Sequence, residues 1–111
     1  SLDPKRSTEP LLHAARMLLR LKDDDRLEEL LKQLRASLAP HDTVSQVAFY
    51  RLQSQAFNRR GRLQASIRAL HNAIRLSPRD RTLYEALAVA LEARGDTRGA
   101  SKARQRAEGS P

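Results

Sequence analysis

The sequence contains no cysteine and no tryptophan, and its only aromatic residues are two tyrosines and two phenylalanines. Without cysteine, the chain has no disulfide framework, no thiolate nucleophile and no cysteine-based zinc site. No apolar run approaches the roughly 18 residues that indicate a membrane span. The first six residues lack the apolar segment of a signal peptide. We therefore expect a cytoplasmic protein, and a periplasmic location after removal of a signal or anchor stays open.

The scarcity of aromatic residues also limits how the core is built. Hydrophobic residues make up 40% of the 111 residues, so leucine, alanine, isoleucine and valine must fill a single modest core. The net charge is +8, from 21 Lys and Arg against 13 Asp and Glu. This balance favours an acidic partner, although a biased genome composition is an alternative explanation.

Apolar residues recur at helical spacing in six segments separated by short turns. The first helix is expected to begin near Thr8, after a disordered lead-in over residues 1–7, with Pro10 in its opening turn. It ends near Leu21, and the run Asp23-Asp24-Asp25 caps the second helix, which Pro40 ends. The pattern predicts four further helices, at about residues 44–60, 63–76, 81–94 and 98–107.

Gly61 and Gly95 are each expected to end a helix. Asp96 is expected to cap the helix that follows Gly95. The sixth helix has only alanines as its apolar stripe, so we expect it to be the least stable. Residues 8–108 are interpreted as one domain. Residues 109–111 are interpreted as a tail or linker within a longer protein.

The stretch from Tyr50 to Ala107 matches itself when it is shifted by 34 residues. The shift pairs two tyrosines, two Arg-Gly turns and several small residues: Tyr50 with Tyr84, Arg60-Gly61 with Arg94-Gly95, Ser54 with Ala88, Ser66 with Ala100, and Ala69 with Ala103. A fixed period of this length indicates a helical solenoid. Small residues recur where two helices of one hairpin cross.

These residues resemble the tetratricopeptide repeat, a 34-residue helix hairpin with an early aromatic residue, small crossing residues, a turn glycine and a closing proline. The resemblance is good over residues 47–108. Over residues 9–43 it is that of a divergent repeat. Aligning Pro40 with Pro78 there puts Arg16 at a small position and Asp23 at the glycine position.

The resemblance implies an all-α, right-handed solenoid of three antiparallel hairpins, whose first helices line a concave groove that holds a peptide or protein segment. It therefore implies an adaptor or scaffold rather than an enzyme. Ordinary solvated helix faces are the alternative interpretation of the implied groove residues. These residues are His13, Met17, Arg20, Arg51, Gln55, Asn58, Arg59, Glu85, Val89 and Glu92.

No pattern in the sequence predicts catalysis, a cofactor or a metal site. The three histidines, His13, His41 and His71, lack the spacing of metal ligands on one helical turn. The Asp23-Asp24-Asp25 run lacks the alternating ligands and glycine of a calcium loop. Some tetratricopeptide repeats bind a carboxylate through a Lys, Arg and Asn clamp, but Ala86 stands where the clamp asparagine would be.

Two other classes of function stay open. Seven arginines between Arg59 and Arg81 face the single acid Asp80, and the fourth helix carries a polar stripe on its outer face. Because arginine suits phosphates and carboxylates, this stripe predicts contact with nucleic acid or an anionic surface. The third class is self-association through the alanine face of the last helix. The residues of the stripe are Gln64, Arg68, His71, Asn72 and Arg75.

Overall fold

The computed structural model describes residues 4–109, and it describes side chains from Thr8 onward. This part of the chain is six helices in three hairpins, each packed on the next. The predicted all-α solenoid of three hairpins is therefore confirmed. Within the same range, no helix combines the length and apolarity needed to cross a bilayer. The helices are α1 (Pro4–Arg20), α2 (Asp24–Ser37), α3 (Thr43–Arg59), α4 (Leu63–Leu76), α5 (Arg81–Ala93) and α6 (Thr97–Gly109).

Aspartate side chains cap the N-termini of four of these helices. Each accepts a hydrogen bond from a backbone N–H of the first turn, which has no partner within the helix. The predicted caps at Asp23 and Asp96 are confirmed. The donors are Arg26 N to Asp23 (3.3 Å), Ser45 N to Asp42 (3.2 Å), Thr82 N to Asp80 (3.0 Å) and Gly99 N to Asp96 (2.8 Å).

The two ends of the domain differ from the sequence prediction. Helix α1 begins at Pro4 and not near Thr8, because Pro4 takes the first helical position, where a missing N–H costs nothing. Pro10 lies inside the helix instead, where it removes one backbone hydrogen bond. Helix α6 continues to Gly109. Residues 1–3 of the predicted lead-in and residues 110–111 of the predicted tail lie outside the described range.

The backbone gives the first hairpin a different alignment from the one that the prolines suggested. Arg20 and Arg59, which end α1 and α3, are 39 residues apart. The turns after these helices contain residues with positive φ at Lys22 (59°), Gly61 (74°) and Gly95 (92°). Lys22 and Gly61 are again 39 residues apart. The expected shift of 38 is therefore wrong by one residue.

This corrected alignment restores the small residue that the first hairpin seemed to lack. A shift of 39 pairs Ala15 with Ser54, which itself pairs with Ala88 across the next hairpin. All three side chains are buried. A small buried residue is therefore kept at this position of the first helix in every hairpin, and Arg16 faces outward.

The buried apolar residues form two clusters that meet inside the middle hairpin. The boundary is a pair of buried serines on α3 and α4. The Ser66 hydroxyl donates to the Ser54 carbonyl (2.9 Å), and the two hydroxyl oxygens are 2.7 Å apart. The first cluster contains Leu12, Ala15, Leu27, Leu31, Leu34, Phe49 and Leu52. The second contains Ile67, Leu70, Leu87, Ala88, Ala90, Leu91, Ala100 and Ala103.

Two of the largest core side chains, Phe49 and Leu83, each precede a tyrosine of the 34-residue match. Phe49 is 1% exposed and Leu83 is fully buried. Tyr50 is half-buried and meets the Phe49 ring edge-on, with centroids 5.3 Å apart. The sequence contains a signal for the burial of both residues, because the 34-residue shift also pairs Phe49 with Leu83.

Candidate functional site

A recess of about 480 Å³ opens between α1, α3 and the start of α5, and we call it the first recess. Val44, at its edge, is 80% exposed although it is a large apolar residue. Such a side chain is available to a partner. The charged lining residues are Arg16, Arg20, Arg51 and Asp80. The apolar lining residues are Leu19, Val44, Val47, Ala48 and Leu52.

A chain of hydrogen bonds crosses one side of the first recess. Arg51 Nη1 donates to Thr82 Oγ1 (2.9 Å), and Thr82 Oγ1 donates to Asp80 Oδ1 (2.6 Å). Asp80 also caps α5. Arg51 therefore both lines the recess and connects the second hairpin to the third.

A second recess, of about 220 Å³, lies between α3 and α5 and has α4 at its base. It forms because α5 packs on the preceding hairpin mainly through α4, whereas α3 packs against both helices of the hairpin before it. Val89 on α5 is 63% exposed. The second recess therefore also places an exposed apolar side chain beside polar groups. The lining residues from α3 and α5 are Ser54, Gln55, Asn58, Ala86, Val89 and Ala90.

The two recesses contain five of the ten predicted groove residues. Arg20, Arg51 and Gln55 line the first, and Gln55, Asn58 and Val89 line the second. Gln55 lines both, so the recesses are neighbours along α3.

His13 and Met17 are exposed on α1 but line neither recess. Their selection followed from the shift of 38. With the shift of 39, the residue that corresponds to Gln55 is Arg16, which does line the first recess. One residue along a helix turns the side chain by about 100°. The left-handed turn residues Lys22, Gly61 and Gly95 define the correct register, and the lysine at the first turn hid it from the sequence.

The other three predicted groove residues are held by ion pairs. Arg59 on α3 binds Asp24 on α2, with Nε 2.7 Å from Oδ1. Glu92 on α5 binds Arg104 on α6, and the Glu92 carboxylate thereby raises the pKa of Arg104. Glu85 lies 3.6 Å from Arg81, one turn earlier on α5. Arg59 and Glu92 therefore connect helices, in addition to any contact with a partner.

Arg59 and Arg60 form what we call the clasp, in which the end of α3 binds the acids at the start of α2. Arg60 Nη2 lies 2.9 Å from Asp25 Oδ1 and 3.2 Å from Glu28 Oε2. The hydrogen bond from Arg59 lowers the pKa of Asp24 below its usual 3.8. The hydrogen bond to Asp25 raises the pKa of Arg60. The Asp23-Asp24-Asp25 run thus joins the first two hairpins as well as capping α2.

Comparison with known proteins adds to this geometry. A family model described as tetratricopeptide repeat matches residues 3–107. The chain belongs to the tetratricopeptide repeat family. The match includes the first hairpin, whose register the structure corrects. No curated protein matches the sequence. Tetratricopeptide repeats generally mediate protein–protein interaction.

In this tetratricopeptide repeat chain, the predicted basic stripe on α4 is divided between two places. Gln64 and Arg68 line an open recess together with Arg62 and Arg94. His71 lies instead in a recess near α6, beside Lys102 and Arg106. Asn72 accepts a hydrogen bond from Arg75. Binding of an anionic surface by the five residues stays a prediction.

The last tetratricopeptide hairpin also changes the hypothesis of self-association. The alanine stripe of α6, namely Ala100, Ala103 and Ala107, is buried. The remaining residues of α6 are mostly polar and exposed, as at Lys102 and Gln105. Self-association through the alanine face would therefore require α6 to leave the rest of the domain.

Proposed function

We propose that this chain is a non-catalytic adaptor that holds a segment of a partner protein along α1, α3 and α5. The observation that carries the proposal is the pair of neighbouring recesses between these helices, each lined by both apolar and polar side chains. Concave sites of this mixed composition are typical of ligand-binding surfaces. The family assignment supports the same class of function.

The charges along the surface favour one orientation of the bound segment. Arg16, Arg20 and Arg51 lie at the α1 end. Glu85 lies exposed on α5. A segment with acids at one end and a base at the other matches this order, because complementary charge fixes orientation and register.

A capture experiment with the 111-residue chain tests the proposal. We expect Asn58→Ala and Arg51→Glu each to reduce the captured partner, because both residues line the recesses. Arg98→Glu on α6 is the matched charge control and should capture normally. Because Arg51 also connects two hairpins, circular dichroism must show that its variant stays helical. Partners captured undiminished by both groove variants would exclude the recesses as the binding site.

A second candidate function is contact with nucleic acid or another anionic surface. One observation favours it, since Arg62, Arg68 and Arg94 line the same open recess and its other lining residues include no acid. Such contact would weaken steeply with salt. Mixed RNA and DNA titrated at low salt should bind the chain and bind Arg68→Glu more weakly. Absence of binding at low salt would contradict this candidate.

A further inference from the structure

The first recess combines two properties that select a particular kind of segment. Its cations exceed its acids by three to one, since Arg16, Arg20 and Arg51 face only Asp80. Asp80 is already engaged, because it accepts hydrogen bonds from the Thr82 backbone and hydroxyl. The recess therefore offers positive charge to a ligand and little negative charge.

Arg16 and Arg20 are the two cations best placed to bind an outside carboxylate. They are four residues apart on α1, so their side chains lie on the same helix face. Both are exposed. Among the described residues, the side chain of neither forms a hydrogen bond or ion pair, whereas the side chains of Arg59, Arg60 and Arg104 are all bound to acids. The planar guanidinium group donates two parallel hydrogen bonds to a carboxylate.

The floor of the recess is aliphatic. Leu19, Val47 and Leu52 line it, and Val44 extends it at the exposed edge. A volume of about 480 Å³ lies in the range of ligand sites in proteins. The lining contains no aromatic side chain on which a nucleobase could stack, which argues against single-stranded nucleic acid as the occupant.

On the basis of the proposed function, we infer that the first recess binds an acidic segment of a partner protein carrying one large apolar side chain. The apolar side chain occupies the floor between α1 and α3. Carboxylates two residues away from it in the segment bind Arg16 and Arg20, and Arg51 adds positive charge from α3. In an extended segment, side chains two residues apart point the same way, so an apolar residue with acids two positions before and after it satisfies both parts.

Selection from a random octapeptide display library, with the 111-residue chain as bait, tests this inference. We expect enriched peptides to carry acids two positions before and after a leucine, isoleucine, phenylalanine or methionine. Replacing the apolar residue by serine in a selected peptide should weaken binding about tenfold or more. Arg20→Glu and Arg16→Glu should each weaken binding at least about fivefold.

Matched variants distinguish binding in the first recess from effects of net charge and from binding elsewhere on the surface. Arg98→Glu on α6 changes the net charge equally and should bind normally. Val44→Ser removes the apolar edge of the first recess and should weaken binding, whereas Val89→Ser alters only the second recess and should not. Both valines are exposed, so neither change disturbs the core.

The possible outcomes distinguish this inference from the proposed function. Enriched peptides without acids, whose binding is still lost on Asn58→Ala, would overturn the inference and leave the adaptor function intact. Peptides unaffected by every recess variant, or no enrichment at all, would overturn both. A single-stranded RNA 20-mer that binds through Arg16 and Arg20, with no acidic peptide enriched, would overturn the inference in favour of nucleic acid.

Discussion

Lys22 adopts a left-handed backbone at the turn between α1 and α2, with φ of 59°. The corresponding turn residues in the other hairpins are Gly61 and Gly95, which also have positive φ. For a residue with a Cβ this conformation costs about 1–2 kcal/mol. One strained lysine is thus built into a fold that elsewhere uses glycine.

Lys22→Gly should stabilise the chain by about 0.5–1 kcal/mol, because the relief of strain exceeds the extra backbone entropy that glycine loses on folding. Thermal unfolding followed by circular dichroism should show a melting temperature higher by about 2–6 °C. Gly61→Ala is the converse variant. A Cβ at Gly61 meets nothing within 4 Å, so its destabilisation reports backbone strain alone. A lower melting temperature for Lys22→Gly would contradict the account.

The Ser54 and Ser66 pair makes a prediction about coupling between two residues. Ser66→Ala leaves the buried Ser54 hydroxyl without its neighbour and should cost about 1–3 kcal/mol. Replacing both serines by alanine should cost less than the sum of the single changes. The 34-residue shift pairs Ser54 and Ser66 with Ala88 and Ala100, which are both buried in the third hairpin. Additive costs in urea unfolding would show that the hydroxyls are not coupled.

At the scale of helices, the clasp joins α3 to α2 through charges that lie partly in solvent. Arg59 and Asp24 are each about one-third exposed in their side chains. Exposed ion pairs contribute little individually. The Arg60 pairs with Asp25 and Glu28 extend the clasp to a network of five residues, which positions the end of α3 against the start of α2.

The clasp should make stability depend on pH. A carboxyl whose pKa is lowered in the folded state contributes stability above its unfolded pKa and loses it as the pH falls through the folded pKa. Asp24→Asn should therefore lower the melting temperature at pH 7, by no more than about 4 °C. The difference from the unsubstituted chain should shrink as the pH falls below 3.8, the usual pKa of Asp24.

Arg59→Gln distinguishes the loss of this ion pair from the loss of the favourable interaction between Asp24 and the α2 dipole. If the ion pair accounts for the lower melting temperature of Asp24→Asn, the double variant Asp24→Asn, Arg59→Gln should be little less stable than either single variant. A difference between Asp24→Asn and the unsubstituted chain that persists unchanged at pH 2 would contradict the assignment.

How far the sequence predicts each helix depends on whether the signal is local. Both ends of α4 are predicted correctly, because Gly61 precedes it and Ser77-Pro78 follows it. The start of α1 was wrong because Pro4 and Pro10 both suit a first turn. The first recess was missed in part, because a one-residue error in register turns α1 by about 100°. The clasp joins residues 35 apart, and only the stacking of hairpins brings them together.

At the scale of the whole molecule, the core has two apolar halves that do not coincide with the sequence repeats. The boundary runs through the middle hairpin, at Ser54 and Ser66. Helix α3 contributes to the first half through Phe49 and Leu52. Helix α4 contributes to the second half through Ile67 and Leu70. In solenoids, each unit is stabilised by its nearest neighbours, so these halves are candidates for separate opening.

Two matched substitutions test whether the halves open separately. Leu34→Ala and Leu70→Ala each remove a buried leucine from one cluster, at a cost of about 2–5 kcal/mol. We expect Leu34→Ala to reduce amide protection from hydrogen exchange mainly in α1–α3, and Leu70→Ala mainly in α4–α6. Equal losses of protection throughout the chain in both variants would show that it opens as one unit.

The exposed valines of the two recesses also affect how copies of the chain behave in concentrated solution. Val44 and Val89 present apolar surface to any other copy, and the net charge of +8 opposes their contact by repulsion. The sequence isoelectric point of about 11.0 keeps this repulsion present at neutral pH. At 1 M salt the screening length falls to about 3 Å. Colloidal stability should therefore be highest in dilute buffer and lowest in concentrated salt.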